Sequence, residues 1–246
     1  MYSIDPYLTV PTLASRDLPL QVIKMPKAEI QLPQSVSLKK HWQTWNDCQR
    51  CSLCKTRDHL AVLYRWHRPL GKTDQAFEPS VPADVLFIGE APGESEDLTG
   101  HPFTGPSGGY LSRTIRDAQE NTNTHTLKIL FTNILACIPL NGTEVRPPNP
   151  SEVEACRPRL EEFIVSTQPT AIVAVGKIAS RYFPHGFKKA FKTFWFVEHT
   201  LEIIHPAALL RSLPSMRDAE TSKIRLKLER LFTELENARR QSRVPS

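Results

Sequence analysis

Three short apolar runs rich in β-branched residues, DVLFIGEA (84–91), KILFTNIL (128–135) and TAIVAVG (170–176), recur along the chain with helical segments between them. Each has the length of a strand, and the first halts at Pro92-Gly93, as a buried strand does at its exit turn. Between the first two, GGYLSRTIRDAQEN (108–121) puts Leu111, Ile115 and Ala118 on one helical face. Between the second and third, Pro150-Ser151 opens a helix through about Ser166, with Ser151 as N-cap and Glu154 three residues on as a capping box. KIASRYF supplies a helix after the third run. FKTFWFVEHT and LEIIHP read as a strand pair ending at Pro206. From about Met216 to Arg240 a long amphipathic helix carries Ile224, Leu228, Leu231 and Leu235 on one stripe. Strands alternating with helices of this length imply an α/β fold, a parallel sheet covered by helices on both faces. Ligands of such sheets bind beyond the carboxyl ends of the strands. Loops 89–105, 133–149 and 205–211 lie at those ends and hold the least ordinary residues of the chain.

The rest of the sequence is less regular. Residues 1 to about 38 have five prolines and no sustained period, which reads as an irregular tail. A helical pattern starts near Ser37 and runs through LKKHWQTWNDC toward Cys48, and residues 65–83 read as a polar, proline-containing loop. The expected organisation is an extension over 1–40 and a single folded domain over 41–246. No run approaches the roughly 18 apolar residues of a membrane span, and the first twenty residues lack a basic start followed by an apolar stretch. The expected location is the cytoplasm or nucleoid, with no membrane partner. A net charge of +5 favours an anionic partner only mildly.

Three constellations bear chemistry. In CQRCSLC, Cys48, Cys51 and Cys54 stand at steps of three, with Cys137 and Cys156 far downstream. A CxxC pair joined by a distant pair supplies four thiolates, enough for zinc or an iron–sulfur cluster. Redox chemistry and plain core packing are the alternatives. GEAPGESEDLTGHPF (89–103) follows the first strand with four carboxylates in eight positions. A sharp turn there exposes main-chain amides and a carboxylate, or is simply a solvated acidic turn. In IIHPAALLR (203–211), His205 ends an apolar run ahead of Pro206, and Asn133 sits as a lone amide inside FTNIL. A buried amide must find partners, in protein or in ligand.

Taken in order, the cysteine pair, GEAPG-x-x-ED-x-x-G-x-PF-x-G-x-x-G, TN-x-x-x-C, a second cysteine after a proline-rich loop, and HPAALLR resemble the family 4 uracil-DNA glycosylases, the iron–sulfur branch of their superfamily. The resemblance covers roughly residues 44–235. It implies a three-layer α/β/α fold with a central, mostly parallel four-stranded sheet. It also implies a structural [4Fe-4S] cluster on Cys48, Cys51, Cys137 and Cys156, with zinc as the alternative, and Cys54 as a free thiol. The implied activity is flipping of deoxyuridine out of single- or double-stranded DNA and hydrolysis of its N-glycosidic bond, by a monomer.

The resemblance also assigns roles. Phe103 would stack on the base, Asn133 would read its O4/N3 edge, and backbone amides around Glu90 and Ala91 would receive O2. His205 would stabilise the negative charge growing on O2. Glu96 would discriminate against a methyl on C5, and Asp97 would support the loop. Leu209, Leu210 or Arg211 would fill the gap left in the DNA. Ala91 stands where some relatives carry Asp, so Glu90 is the candidate water-activating base. No lysine occurs in the three loops, which points to monofunctional, non-Schiff-base chemistry. A same-fold enzyme for another modified base, or a weakly active DNA-binding paralogue, are the alternative functions.

Overall fold

The computed structural model describes residues 35–58, 60–67, 82–181 and 197–242. The tail before residue 35, most of the 65–83 loop and the first half of the expected strand pair lie outside the described residues.

Helix α1 (Leu38–Trp45) begins at Ser37, whose hydroxyl accepts the Lys40 N–H, and a 3-10 turn over Ser52–Lys55 follows it. Strand β1 (Arg65–Trp66) leads to β2 (Val85–Gly89), then the short α2 (Glu94–Thr99) and α3 (Pro106–Thr122). After β3 (Ile129–Asn133) comes a hairpin of β4 (Leu140–Asn141) and β5 (Glu144–Val145). Helix α4 (Pro150–Thr167) leads to β6 (Ala171–Val175), and residues 177–181 are helical. Strand β7 (His199–Ile203), α5 (Pro206–Leu210) and α6 (Pro214–Ser242) complete the fold.

The main sheet runs β1-β3-β2-β6-β7, parallel throughout except for β1. It therefore has five strands where four are expected. The additional edge strand comes from a segment that reads as loop, because two residues are too short to show an alternating pattern. The break expected between Thr200 and Leu201 is absent, since β7 runs through both without a turn, while residues 191–196 of the expected first strand lie outside the described residues. The cap of α4 is Asn149, not Ser151, and its amide donates to Glu152, not Glu154. Pro150 occupies the first helical position, where its missing N–H leaves no bond unmade.

Alternating residues of the central strands build two cores. Leu86, Ile88, Leu130, Ile172 and Ala174 face α1 and α4, with the cysteines at that edge. Val85, Phe87, Ile129, Phe131 and Val173 face α3 and α6. The result is the expected three-layer α/β/α arrangement. Among the described residues, no helix is long and apolar enough to cross a membrane.

Candidate active site

Gly89 and Asn133 are register partners at the carboxyl ends of adjacent strands. A Cβ on Gly89 would lie 2.3 Å from Asn133 Oδ1 and 2.8 Å from Phe103 Cζ, so only glycine lets these two side chains close over the strand end. Asn133 is 3% exposed, yet its side-chain amide has no hydrogen-bond partner among the described residues. An amide held there keeps both a donor and an acceptor for a ligand.

Phe103 is buried with φ +58, a left-handed conformation that costs an aromatic residue about 1–3 kcal/mol. The surroundings enforce it. A Cβ on Gly108 would stand 2.1 Å from the Phe103 carbonyl oxygen, so α3 approaches the loop closely only because that residue is glycine. Arg65 Nε donates to the Pro102 carbonyl (2.9 Å) and its Nη2 to the Phe103 carbonyl (3.1 Å).

The acidic loop is ordered by its own carboxylates. Glu96 Oε2 accepts the Gly93 N–H (3.2 Å) and Oε1 accepts the Gly105 N–H (2.8 Å), tying α2 to the start of α3. Asp97 is buried and accepts the Asp58 N–H at 2.9 Å. Glu90 differs from both. Half-buried, its carboxylate has no partner among the described residues, and burial raises its pKa above the ordinary glutamate value. The next residue, Ala91, carries an amide N–H with no partner among the described residues.

His205 caps α5. Its Nδ1 accepts the Ala207 N–H at 3.2 Å, which in the neutral ring leaves the proton on Nε2. Burial lowers its pKa, as does the charge of Arg211, while Glu96 opposes them. The imidazole is therefore neutral at pH 7 and offers an Nε2–H. Gly176, at φ +91 beyond β6, makes room for it, since a Cβ there would lie 2.9 Å from that of His205. Of the three candidate DNA-filling residues, Leu209 is 3% exposed and packed in the core of the α3/α6 face, Leu210 is half-buried and Arg211 is exposed.

A second assembly lies on the α1/α4 side. Cys48, Cys51, Cys54, Cys137 and Cys156 line one recess of about 380 Å³, counting the part open to solvent. Burial, and then the neighbouring thiols, push the Cys51 pKa up; Cys156 and Cys48 are both close enough to contribute. The Cys137 value is pushed up to about 11 by burial, against the opposing effect of Arg57. Such thiols stay protonated unless a cationic group replaces the proton. Arg57 Nη1 donates to Cys137 Sγ at 3.5 Å. Arg159, 1% exposed, also lines the recess, and its guanidinium bonds Thr132 Oγ1 (3.0 Å) and the carbonyls of Asn133 and Ile134. Five thiols lining one recess, beside two buried guanidinium groups, suit an anionic, thiolate-ligated group. Among the described residues, no three His, Cys, Asp or Glu side chains converge on a single ion.

Arg57, Arg65 and Arg159 are functional candidates that the sequence does not single out. Each acts through contacts to residues distant in the chain, and no local spacing marks them.

Residues 77–229 match the uracil DNA glycosylase superfamily. The type-4 uracil-DNA glycosylase of Archaeoglobus fulgidus is 32% identical over 165 residues, covering 61% of this chain and 79% of that protein. Its counterpart in Thermotoga maritima is 30% identical over 165 residues, with 62% and 82% covered. That of Saccharolobus solfataricus is 34% identical over 142 residues, with 58% and 55% covered. Among solved structures, Pedobacter heparinus SMUG2 aligns at 14% identity and a TM-score of 0.46, over 68% of this chain and 88% of that one. With that match across more than half of its length and these relatives beside it, the chain belongs to the uracil DNA glycosylase superfamily, on its type-4 branch.

Proposed function

We infer that this protein is a monofunctional uracil-DNA glycosylase, which flips deoxyuridine from DNA and hydrolyses its N-glycosidic bond to leave an abasic site. The observation that carries the reading is the unpartnered Asn133 amide, buried between Gly89 and Phe103 at the strand ends. Its donor matches uracil O4 and its acceptor matches N3–H, whereas cytosine presents the reverse pattern on that edge. Phe103 stacks on the base, and the open Ala91 amide receives O2. As the glycosidic bond lengthens, His205 donates from Nε2 to the negative charge gathering on O2. Glu90 orients the water that attacks the anomeric carbon.

Both Glu96 oxygens are engaged by backbone amides, so the discrimination against a C5 methyl is exercised through the loop that Glu96 braces. Leu210 and Arg211 fill the space left by the base, while Leu209 anchors α5 in the core. The catalytic unit is 41–246, acting as a monomer in the cytoplasm or nucleoid, with 1–40 as an appendage.

Cys48, Cys51, Cys137 and Cys156 would hold a [4Fe-4S] cluster, which supplies cross-linking of three chain segments and no step of the hydrolysis. The shared recess of these thiols is compatible with a cluster, with zinc as the alternative. Iron, sulfide and zinc analysis of anaerobically purified protein tests this, with about four irons expected per chain; a colourless protein holding one zinc would contradict it. The function is tested with oligonucleotides carrying a single U, C, T or hypoxanthine, followed by alkali. Strand cleavage at U alone is expected, and cleavage only at another base would overturn the assignment.

A further inference from the structure

Phe103 is held in a left-handed backbone conformation, and one side chain reaches it from outside the loop. Arg65, on the antiparallel edge strand β1, donates from Nε to the Pro102 carbonyl and from Nη2 to the Phe103 carbonyl. Its Nη2 also lies 3.4 Å from Ser112 Oγ, on the helix that follows the loop. The same guanidinium sits over the Phe131 ring, 4.6 Å from the centroid, and the Phe131 ring packs against Phe103 with centroids 5.1 Å apart. One planar group thus fixes the backbone of Phe103 by hydrogen bonds and its ring through an intervening aromatic.

We propose that Arg65 is a positioning residue for base recognition, a clamp that sets the Phe103 ring to receive the flipped base. The proposal rests on the function inferred above, since it gives Phe103 the stacking role. Three features support it. The fork of a guanidinium matches two successive carbonyls, which a lysine ammonium does not. Phe103 adopts a conformation that an aromatic residue does not take unaided. Finally, among the described residues β1 is a two-residue strand paired with β3, opposite Phe131 and Leu130, a placement that brings this side chain to the loop. Binding a ring already in place avoids the ordering cost that a mobile Phe103 would add to each encounter.

A double-mutant cycle separates positioning from plain structural support. Single-turnover uracil release is measured, under saturating enzyme, on one uracil-containing oligonucleotide for the unsubstituted protein, Arg65→Met, Phe103→Ala and the double variant. Phe103→Ala is expected to slow release roughly tenfold to a hundredfold, the range for losing one base–aromatic stack. Arg65→Met should slow it about tenfold in the Phe103 protein but less than about twofold in the Phe103→Ala protein, because coupled residues are non-additive. Arg65→Lys, which keeps the charge over Phe131 without the fork, should recover only part of the rate, and it carries the same cycle if Arg65→Met does not fold. Equal slowing by the Arg65 substitution in both backgrounds would overturn the clamp while leaving the glycosylase function intact. Absence of uracil release by the unsubstituted protein would overturn the function, and the clamp's role with it.

Discussion

Glu90 and His205 are tuned in opposite directions by the same cause. Burial raises the carboxyl and lowers the imidazole, pushing each toward its uncharged form. Both become protonated as pH falls, which removes the base and the neutral hydrogen-bond donor together. The single-turnover rate should therefore drop on the acid side with contributions from both groups, beginning above the ordinary glutamate range. Glu90→Gln should be slower and keep only the His205 contribution to that limb; an unchanged rate and profile would remove Glu90 from the mechanism. His205→Ala should slow release by about a hundredfold or more, the usual cost of removing a donor to a developing oxyanion. Individual residues of this kind are partly legible in sequence. A lone Asn in a β-branched run and a His ahead of a proline mark themselves by being out of place. The state of each is not legible, because the Nδ1 bond to Ala207 and the burial of Glu90 away from hydrogen-bond partners among the described residues exist only in three dimensions.

At the scale of elements, the parallel strands are readable because each is buried on both faces and written as a continuous apolar run. The edge strand β1 is not readable, since its two residues gain their register from Phe131 and Leu130. The acidic turn contains a helix that charge alone conceals. Gly93 and Glu96 stand at the spacing by which a third-position carboxylate satisfies the cap amide, and Glu96 does so while also holding Gly105. Helix α4 shows what sequence misses most. From it, Arg159 crosses the interior to the end of β3 and binds the Asn133 carbonyl, so one side chain joins the cysteine recess to the strand that carries Asn133. Arg159→Met leaves three oxygens without a donor and should cost about 2–4 kcal/mol in denaturant unfolding. Unchanged stability would show that the strand end is held by other means.

Across the whole molecule, the sheet divides the labour. One face, with α1 and α4, carries the cysteine recess; its carboxyl edge carries Gly89 and Asn133, where the proposed base site lies; and the far face, with α3 and α6, is apolar core. Two buried histidines make this body acid-sensitive. Burial lowers both His41 and His67 to about 4, with Arg159 adding to the effect at His41 and Arg65 at His67. The unfolded chain takes up these protons near the ordinary value of 6.5, whereas the folded chain refuses them until about 4. Stability is thus retained above pH 6.5 and lost as pH falls from 6.5 to 4, by up to about 3 kcal/mol per histidine. Raised carboxyls such as Asp84 pull the other way, since burial makes the folded chain hold their protons more tightly. Thermal midpoints measured across that window should fall, and His67→Asn should flatten part of the decline; a flat profile in the unsubstituted protein would contradict the neutral-histidine description.

All of these scales converge on Asn133, whose amide is presented by β3, uncovered by Gly89 and anchored from behind by Arg159. The direct test is release of free uracil, quantified by mass spectrometry in single turnover from a uracil-containing oligonucleotide, for the unsubstituted protein and for Asn133→Ala. The unsubstituted protein should yield free uracil and an abasic strand in equal amounts, and Asn133→Ala should be slower by about a hundredfold, the loss expected when two hydrogen bonds to a desolvated base edge are removed. Failure of the unsubstituted protein to release uracil, or an Asn133→Ala variant that releases it at the same rate, would contradict the account.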